Sequence, residues 1–271
     1  MKILFNKYEG AGNDFIIVKN SPQLIDHSDN QLIKNLCDRR FGIGADGLML
    51  IEEYDRSDFR MYYYNSDGST GKMCGNGARC AAHFAMRRMT GFRELFFLAG
   101  DGLHSARPDG PERIEISIRD VTEIREAPDG ILVNTGVPHL VVFTEDCGDT
   151  DVVTAGRKLR RSRAYAPAGV NVNFATVVDK RLHVRTYERG VEDETLACGT
   201  GITASAIAAA STGKIVTSSL ATDSGKIITC ATEVITRGGI LSVRFTLTDT
   251  GATDIFLTGP ATFVFSGEIE I

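Results

Sequence analysis

Residues 74–79 read Cys-Gly-Asn-Gly-Ala-Arg, and residues 198–203 read Cys-Gly-Thr-Gly-Ile-Thr. Each hexapeptide opens a run of small residues with helical character. The first runs from Ala78 to about Met89 with a stop at Gly91, the second from Gly201 to about Ser211 with a stop at Gly213. Each is preceded by a strand-like segment and a polar turn: residues 59–64 (FRMYYY) lead to Asn65, and residues 182–187 (LHVRTY) lead to Glu188. Strand, polar turn, Cys-Gly-x-Gly and small-residue helix thus occur twice, 124 residues apart. That is a duplication on the scale of a domain, not the short period of a solenoid.

Outward from these two copies, strands dominate. Residues 113–118 (RIEISI) and 240–247 (ILSVRFTL) alternate or are rich in β-branched side chains. A further helix is expected to open at Ser28, with Gln31 completing a capping box. Leu32, Ile33, Leu36 and Cys37 fall on one of its faces, and Gly42 ends it. A weaker helix covers residues 151–159. The charged stretch 120–130 (DVTEIREAPDG) reads as a linker between the copies, and 271 residues accommodate two domains.

Composition narrows the classes of function. Lys and Arg total 30 against 35 Asp and Glu, a net charge of −5, so the basic footprint of a nucleic-acid or anionic-membrane binder is missing. No apolar run approaches the ~20 residues of a membrane helix, and the first ten residues lack a signal-peptide core. A cytoplasmic location is expected. The six cysteines are too sparse for a secreted disulfide framework, show no CxxC pair and have no His-x3–5-His companion, so no metal site is expected. Cys37 and Cys80 read as core residues, and Cys147 and Cys230 lie in no motif. His27, His83, His104 and His183 read as surface or core, and the run Tyr62-Tyr63-Tyr64 as strand packing.

The repeated motif is what carries chemistry. Each Cys-Gly-x-Gly sets a thiol just before a helix whose first N–H groups have no intrahelical partner, and those donors together with the helix dipole favour negative charge. One such element would suit a cysteine hydrolase or a redox protein. Two suggest a pseudo-twofold site with one thiol on each side of a ligand. Stereoinversion at a tetrahedral carbon requires that pairing: one thiolate removes the proton from one face and the opposite thiol returns a proton to the other. No Lys sits in a comparable setting, so a pyridoxal phosphate Schiff base is not indicated.

In order and spacing, the motifs GAGNDF (10–15), RRFGIGADG (39–47), NSDGSTGKMCGNGARC (65–80), GVPH (136–139), NVNF (171–174) and YERGVEDETLACGTG (187–201) closely resemble the diaminopimelate epimerase family. The resemblance implies a cofactor-independent isomerase that interconverts LL- and meso-diaminopimelate for lysine and peptidoglycan synthesis. It implies an α+β fold of two pseudo-symmetric domains, each a curled, mostly antiparallel sheet around a central helix, with the active site between them. The halves would be 1–122, joined by the returning segment 260–271, and 123–259; the implied assembly is a homodimer. By motif, Cys74 and Cys198 match the acid–base pair, and His139 and Glu188 the polar groups that tune the thiols. Gly75, Asn76, Gly199 and Thr200 match the backbone cradle, and Asn13, Asn65 and Asn171 the substrate amides. Glu188 and Arg189 match the pair that receives ammonium and distal carboxylate. A substrate with two ammonium and two carboxylate groups needs amides that donate and accept, one Glu and one bidentate Arg.

Three positions depart from the family pattern. Gly47 stands where many members carry a substrate-contacting Gln, Val137 stands in place of an Asn, and residues 191–194 make the loop before Cys198 one residue longer. Two other readings stay open on sequence grounds: a racemase of another amino or imino acid on the same fold, such as the proline racemases, and a redox-sensitive binding module in which Cys74 and Cys198 form a reversible disulfide.

Overall fold

A computed structural model describes residues 1–88, 94–215, 218–222 and 225–271. The chain forms two compact units: Met1–Ile116 together with Thr258–Ile271, and Ser117–Leu257.

In the first unit a hairpin pairs the strands Lys2–Gly10 and Asn13–Lys19. Its two-residue turn has both Ala11 (φ 56°) and Gly12 (φ 81°) in the left-handed region, the geometry that matches strand twist, and it delivers Asn13 at the head of the second strand. Strand Asn13–Lys19 runs parallel to Gly47–Tyr54, which turns antiparallel into Ser57–Asn65. Ser57–Asn65 runs parallel to Leu95–Ala99, which continues antiparallel into Gly102–Pro108 and Arg113–Ile118. Parallel neighbours need a crossover, and each crossover here carries a helix. Helix α1 (Asn30–Cys37) lies in the first and α2 (Gly75–Met86) in the second.

The second unit repeats this plan. The hairpin of Gly130–Asn134 with Pro138–Phe143 leads, by a parallel step containing α3 (Val152–Arg160), to Asn171–Val178. That strand turns antiparallel into Arg181–Glu188. A second parallel step, containing α4 (Gly199–Ser211), reaches Gly225–Thr236 and then Gly239–Leu247. The fold is thus α+β with two pseudo-symmetric halves, as the resemblance implied.

Each sheet curls around its second helix and carries its first helix on the outer face. Helices α2 and α4 each touch six strands of their own unit. Such a helix is buried almost all round: eleven residues of α4 are inside, and its Ala and Gly content lets strands approach from every side. The hydroxyls it must bury turn back on its own backbone, Thr203 onto Gly199 O at 2.9 Å and Ser205 onto Gly201 O at 2.8 Å. The outer helices are amphipathic and close separate cores. Ile33, Leu36 and Cys37 of α1 pack with Ile16, Leu48 and Tyr64, and Val152 of α3 packs with Val172 and Tyr187.

Helix α1 starts one residue later than expected. Asp29 caps it, accepting from Leu32 N–H at 2.9 Å, while the Ser28 hydroxyl is taken by Asp26. The helix also ends early, at Cys37. Gly42 instead closes back on the helix end, where a Cβ would fall 2.0 Å from Asn35 O. The expected stop at Gly91 lies outside the described residues, whereas α4 does end just before Gly213, which has φ 68°. The stretch 120–130 is not a free linker. Val121 bridges Ala252, and Ile124–Ala127 forms a hairpin with Gly130–Asn134. The charged residues there point outward from a ladder that the composition concealed. Finally, Thr262–Glu270 pairs with Lys2–Gly10 along nearly its whole length, so the last segment returns to the first unit.

Candidate functional site

Both motif cysteines are N-caps. Cys74 (φ −128°, ψ 117°) precedes α2 and Cys198 (φ −111°, ψ 108°) precedes α4, and neither side chain caps its helix. Their carbonyls accept the first intrahelical bonds, from Ala78 and Ile202. The N–H groups of the first turn, among them those of Gly75, Asn76, Gly199 and Thr200, therefore lie outside each helix's own ladder. In both units a short strand, Thr70–Gly71 or Asp193–Thr195, pairs with the preceding long strand and sets the chain up for the cysteine.

Around Cys74, Asn13 Oδ1 lies 3.9 Å from Sγ and accepts from Asn76 Nδ2 at 3.5 Å. Asn13 Nδ2 donates to Asp46 Oδ2 at 2.6 Å, which fixes which end of the amide faces the thiol. Asp46 belongs to a charged group with Arg39, Asp14 and Lys7. Burial would push the Asp14 carboxyl up, but hydrogen bonds from Arg39 and Lys7 outweigh it and hold the group well below the usual range. Under the first turn of α2 lies Arg79, fully buried. Its guanidinium donates to Gly75 O (3.2 Å), Asn76 Oδ1 (2.9 Å) and Pro260 O (3.1 Å). Burial lowers its pKa to about 10, so it keeps its charge at neutral pH. The matching position in α4 is Thr203, so the halves are electrostatically unequal.

Around Cys198 the polar groups form a chain. Asn173 Nδ2 donates to His139 Nδ1 at 3.2 Å, which leaves His139 Nε2 to donate to Thr200 Oγ1 at 3.0 Å. Thr200 Oγ1 in turn lies 3.5 Å from Cys198 Sγ. His139 thus reaches the thiol through a hydroxyl. Parallel register makes this possible, because His139 pairs with Asn171 and its ring turns towards Asn173. Asn173 is itself held by Thr186 Oγ1 at 2.9 Å, and Thr135 anchors Thr200 O at 2.9 Å.

Of the remaining expected residues, Asn65 closes the strand Ser57–Asn65 and bonds Tyr63 and Ser69. Asn171 Oδ1 accepts the Arg189 backbone N–H at 2.8 Å, and the Arg189 guanidinium reaches Ala168 O and Gly169 O. Glu188 ends its strand with its carboxyl pushed up by burial and pulled down in part by Thr195. The lengthened loop is pinned: Glu192, with φ 60°, is bound by Arg160 at 2.9 Å and by Tyr187 Oη at 3.2 Å. The other cysteines are core residues. Burial pushes Cys37 up to about 12 and Cys230 up to about 11, and raises Cys80 and Cys147 as well. Sequence reading missed Asp46, Arg79, Thr135 and Asn173. All four lie inside or next to quoted motifs, but their partners are set by register and folding.

His139 makes a pH prediction. Burial first, and Arg189 second, lower its pKa to about 3. An unfolded His titrates near 6.5, so the native state resists a proton that the unfolded state accepts. The stability involved is fully present above pH 6.5 and drains away as pH falls towards 3. Between pH 7 and 4.5 the protein is expected to lose about 3 kcal/mol more than His139→Gln does, read from urea unfolding at both pH values. Equal losses would refute the assignment.

Comparison with known proteins bears on the chain's family and fold. The family model described as diaminopimelate epimerase matches residues 5–96 and 131–264. A diaminopimelate epimerase of Flavobacterium psychrophilum is 44% identical over 264 residues, covering 97% of this chain and 98% of that protein. One of Aquifex aeolicus is 34% identical over 286 residues, covering 98% and 97%. Among solved structures, a phenazine biosynthesis protein of the PhzF family from Bacillus anthracis superposes with a TM-score of 0.74 at 14% identity, covering all of both chains. A hydroxyproline epimerase from Agrobacterium vitis gives 0.66 at 14% identity, covering 99% of this chain and 92% of that one. At such identities these two structures speak for the fold alone.

Proposed function

The chain belongs to the diaminopimelate epimerase family and interconverts isomers of diaminopimelate, and from that premise we propose that Cys74 and Cys198 are its two acid–base groups. The observation that carries this reading is that both cysteines are N-caps whose side chains leave the helix start uncapped.

An amino-acid Cα–H is a weak acid, so the carbanion must be stabilised as it forms. In the LL-to-meso direction one thiolate takes the α-proton: the C–H bond breaks, an S–H bond forms, and the electron pair spreads into the α-carboxylate. First-turn N–H groups of α2 and α4 are the donors that receive that charge, aided by both helix dipoles. The other thiol then gives its proton to the opposite face and becomes the thiolate. The enzyme ends with the two protonation states exchanged, and the reverse reaction restores them. Around Cys74, the buried Arg79 charge supports the anionic sulfur, while Asn13 Oδ1 accepts from the protonated thiol; around Cys198, the neutral His139 directs the Thr200 hydroxyl at the sulfur. Glu188 and Arg189 are the groups for the substrate's ammonium and distal carboxylate, and Asn65 and Asn171 are the amides that bind substrate. A homodimer working in the cytoplasm completes the proposal, supported by the family resemblance; sedimentation velocity tests the assembly.

The test of function is proton NMR of reduced protein with LL-diaminopimelate in D2O. Loss of the Cα–H signal in step with appearance of the meso isomer is expected. No exchange, in folded protein with its thiols verified as free, would overturn the two-thiol mechanism for this substrate.

A further inference from the structure

Gly47 and Gly71 both make room for one side chain. A Cβ on Gly47 would lie 2.8 Å from the Tyr63 ring, and one on Gly71 would lie 2.3 Å from it. The two glycines sit on strands flanking Ser57–Asn65, Gly71 directly opposite Tyr63 and Gly47 directly opposite Asn65. The Tyr63 ring therefore covers its neighbour Gly71 and leans diagonally over Gly47, filling space that side chains would otherwise occupy. Phe15, the partner of Gly47 in the next strand, meets the ring edge-on with centroids 6.4 Å apart. The same Phe15 ring and Met49, which is opposite Tyr63, face Gly77 in the first turn of α2. Tyr63 and Asn65, two residues apart on one strand, share the face turned towards the start of that helix.

Held in this slot, the Tyr63 hydroxyl donates to Asn65 Oδ1 at 3.0 Å, while Asn65 Nδ2 donates to Ser69 Oγ at 3.0 Å. The carboxamide is gripped from both sides. One lone pair and one N–H are left to face outward, a donor and an acceptor together, which suits a group carrying both an ammonium and a carboxylate.

We propose that Tyr63 is a positioning residue for diaminopimelate, its hydroxyl holding the Asn65 carboxamide in place to receive the amino-acid end remote from the reacting carbon. The proposal rests on the reading that Asn65 binds substrate. The glycines at 47 and 71 are the condition for it, because any side chain at either position displaces the ring.

Tyr63→Phe tests this, since it deletes the hydroxyl and keeps the ring in its slot. The expected result is a KM for diaminopimelate raised about tenfold, the size of one lost hydrogen bond, with kcat changed less than about twofold and Tm unchanged. In an Asn65→Ala background the same substitution should add nothing, because its effect passes through Asn65. An unchanged KM in Tyr63→Phe overturns the proposal, as does a KM effect that persists in full without Asn65. A lowered Tm with kcat and KM falling together overturns it too, by assigning the hydroxyl to packing. Failure of the underlying reading looks different: Asn65→Ala itself would keep the wild-type KM.

Discussion

Cys74→Ala and Cys198→Ala are each expected to reduce inversion of diaminopimelate by at least about 10³-fold, within the range that removal of a positioned acid–base group produces. The more telling expectation concerns what each variant keeps. With one thiol gone, the other can still take a proton from the face it addresses and return one to that same face. Exchange of Cα–H with D2O then survives for one stereoisomer only, without inversion, and the two variants retain opposite isomers. Proton NMR on LL- and meso-diaminopimelate reads all four combinations. The helix starts that hold the carboxylate are backbone, so substrate binding should persist in both variants. Wild-type inversion by either variant, or retained exchange of the same isomer by both, would contradict a one-thiol-per-face arrangement.

Thr200→Val is expected to lower kcat about 10²-fold with a smaller change in KM. Valine has nearly the shape of threonine, so the first turn of α4 keeps its backbone and its N–H groups. What disappears is the hydroxyl that joins His139 Nε2 to Cys198 Sγ. His139 is fully buried, and its Nε2–H is left without that acceptor at a cost of about 1–3 kcal/mol. The Cys198 thiolate meanwhile loses a donor that its partner ring had oriented. Thr200→Ser restores the hydroxyl and is expected to return activity to within a few-fold of wild type. A serine variant as impaired as the valine one would mean that the threonine methyl, not the relay, matters at this position.

How much of this was legible in the chain follows from the range of each signal. The two Cys-Gly-x-Gly helices could be read because their chemistry is local: a capping residue, the glycines behind it and a small-residue run all lie within one stretch. The duplication followed from comparing those stretches, and the matching parallel and antiparallel steps of the two units agree with it. The start of α1 was misplaced by one residue because Ser28 and Asp29 are both capping types. Only the folded chain shows that Asp26 takes the Ser28 hydroxyl and leaves the cap to Asp29. Asn173 was missed for a different reason. Its neighbour Asn171 carries the motif role, and only strand register decides that Asn173 meets the His139 ring. Arg79 lies within a motif, yet nothing local tells a solvated arginine from one held by Pro260, far along the chain.

That last contact bears on how the protein is made. The second unit is one unbroken stretch, whereas the first is completed by Thr258–Ile271, which follow the second unit in the sequence. During synthesis from the N-terminus, the half carrying Cys198 has its whole sequence available while the half carrying Cys74 still lacks its closing strand. The first-made portion is thus the last to be finished. Arg79 meets Pro260 only when that strand arrives, so the start of α2 gains its last backbone partner after the whole of the second unit has been made.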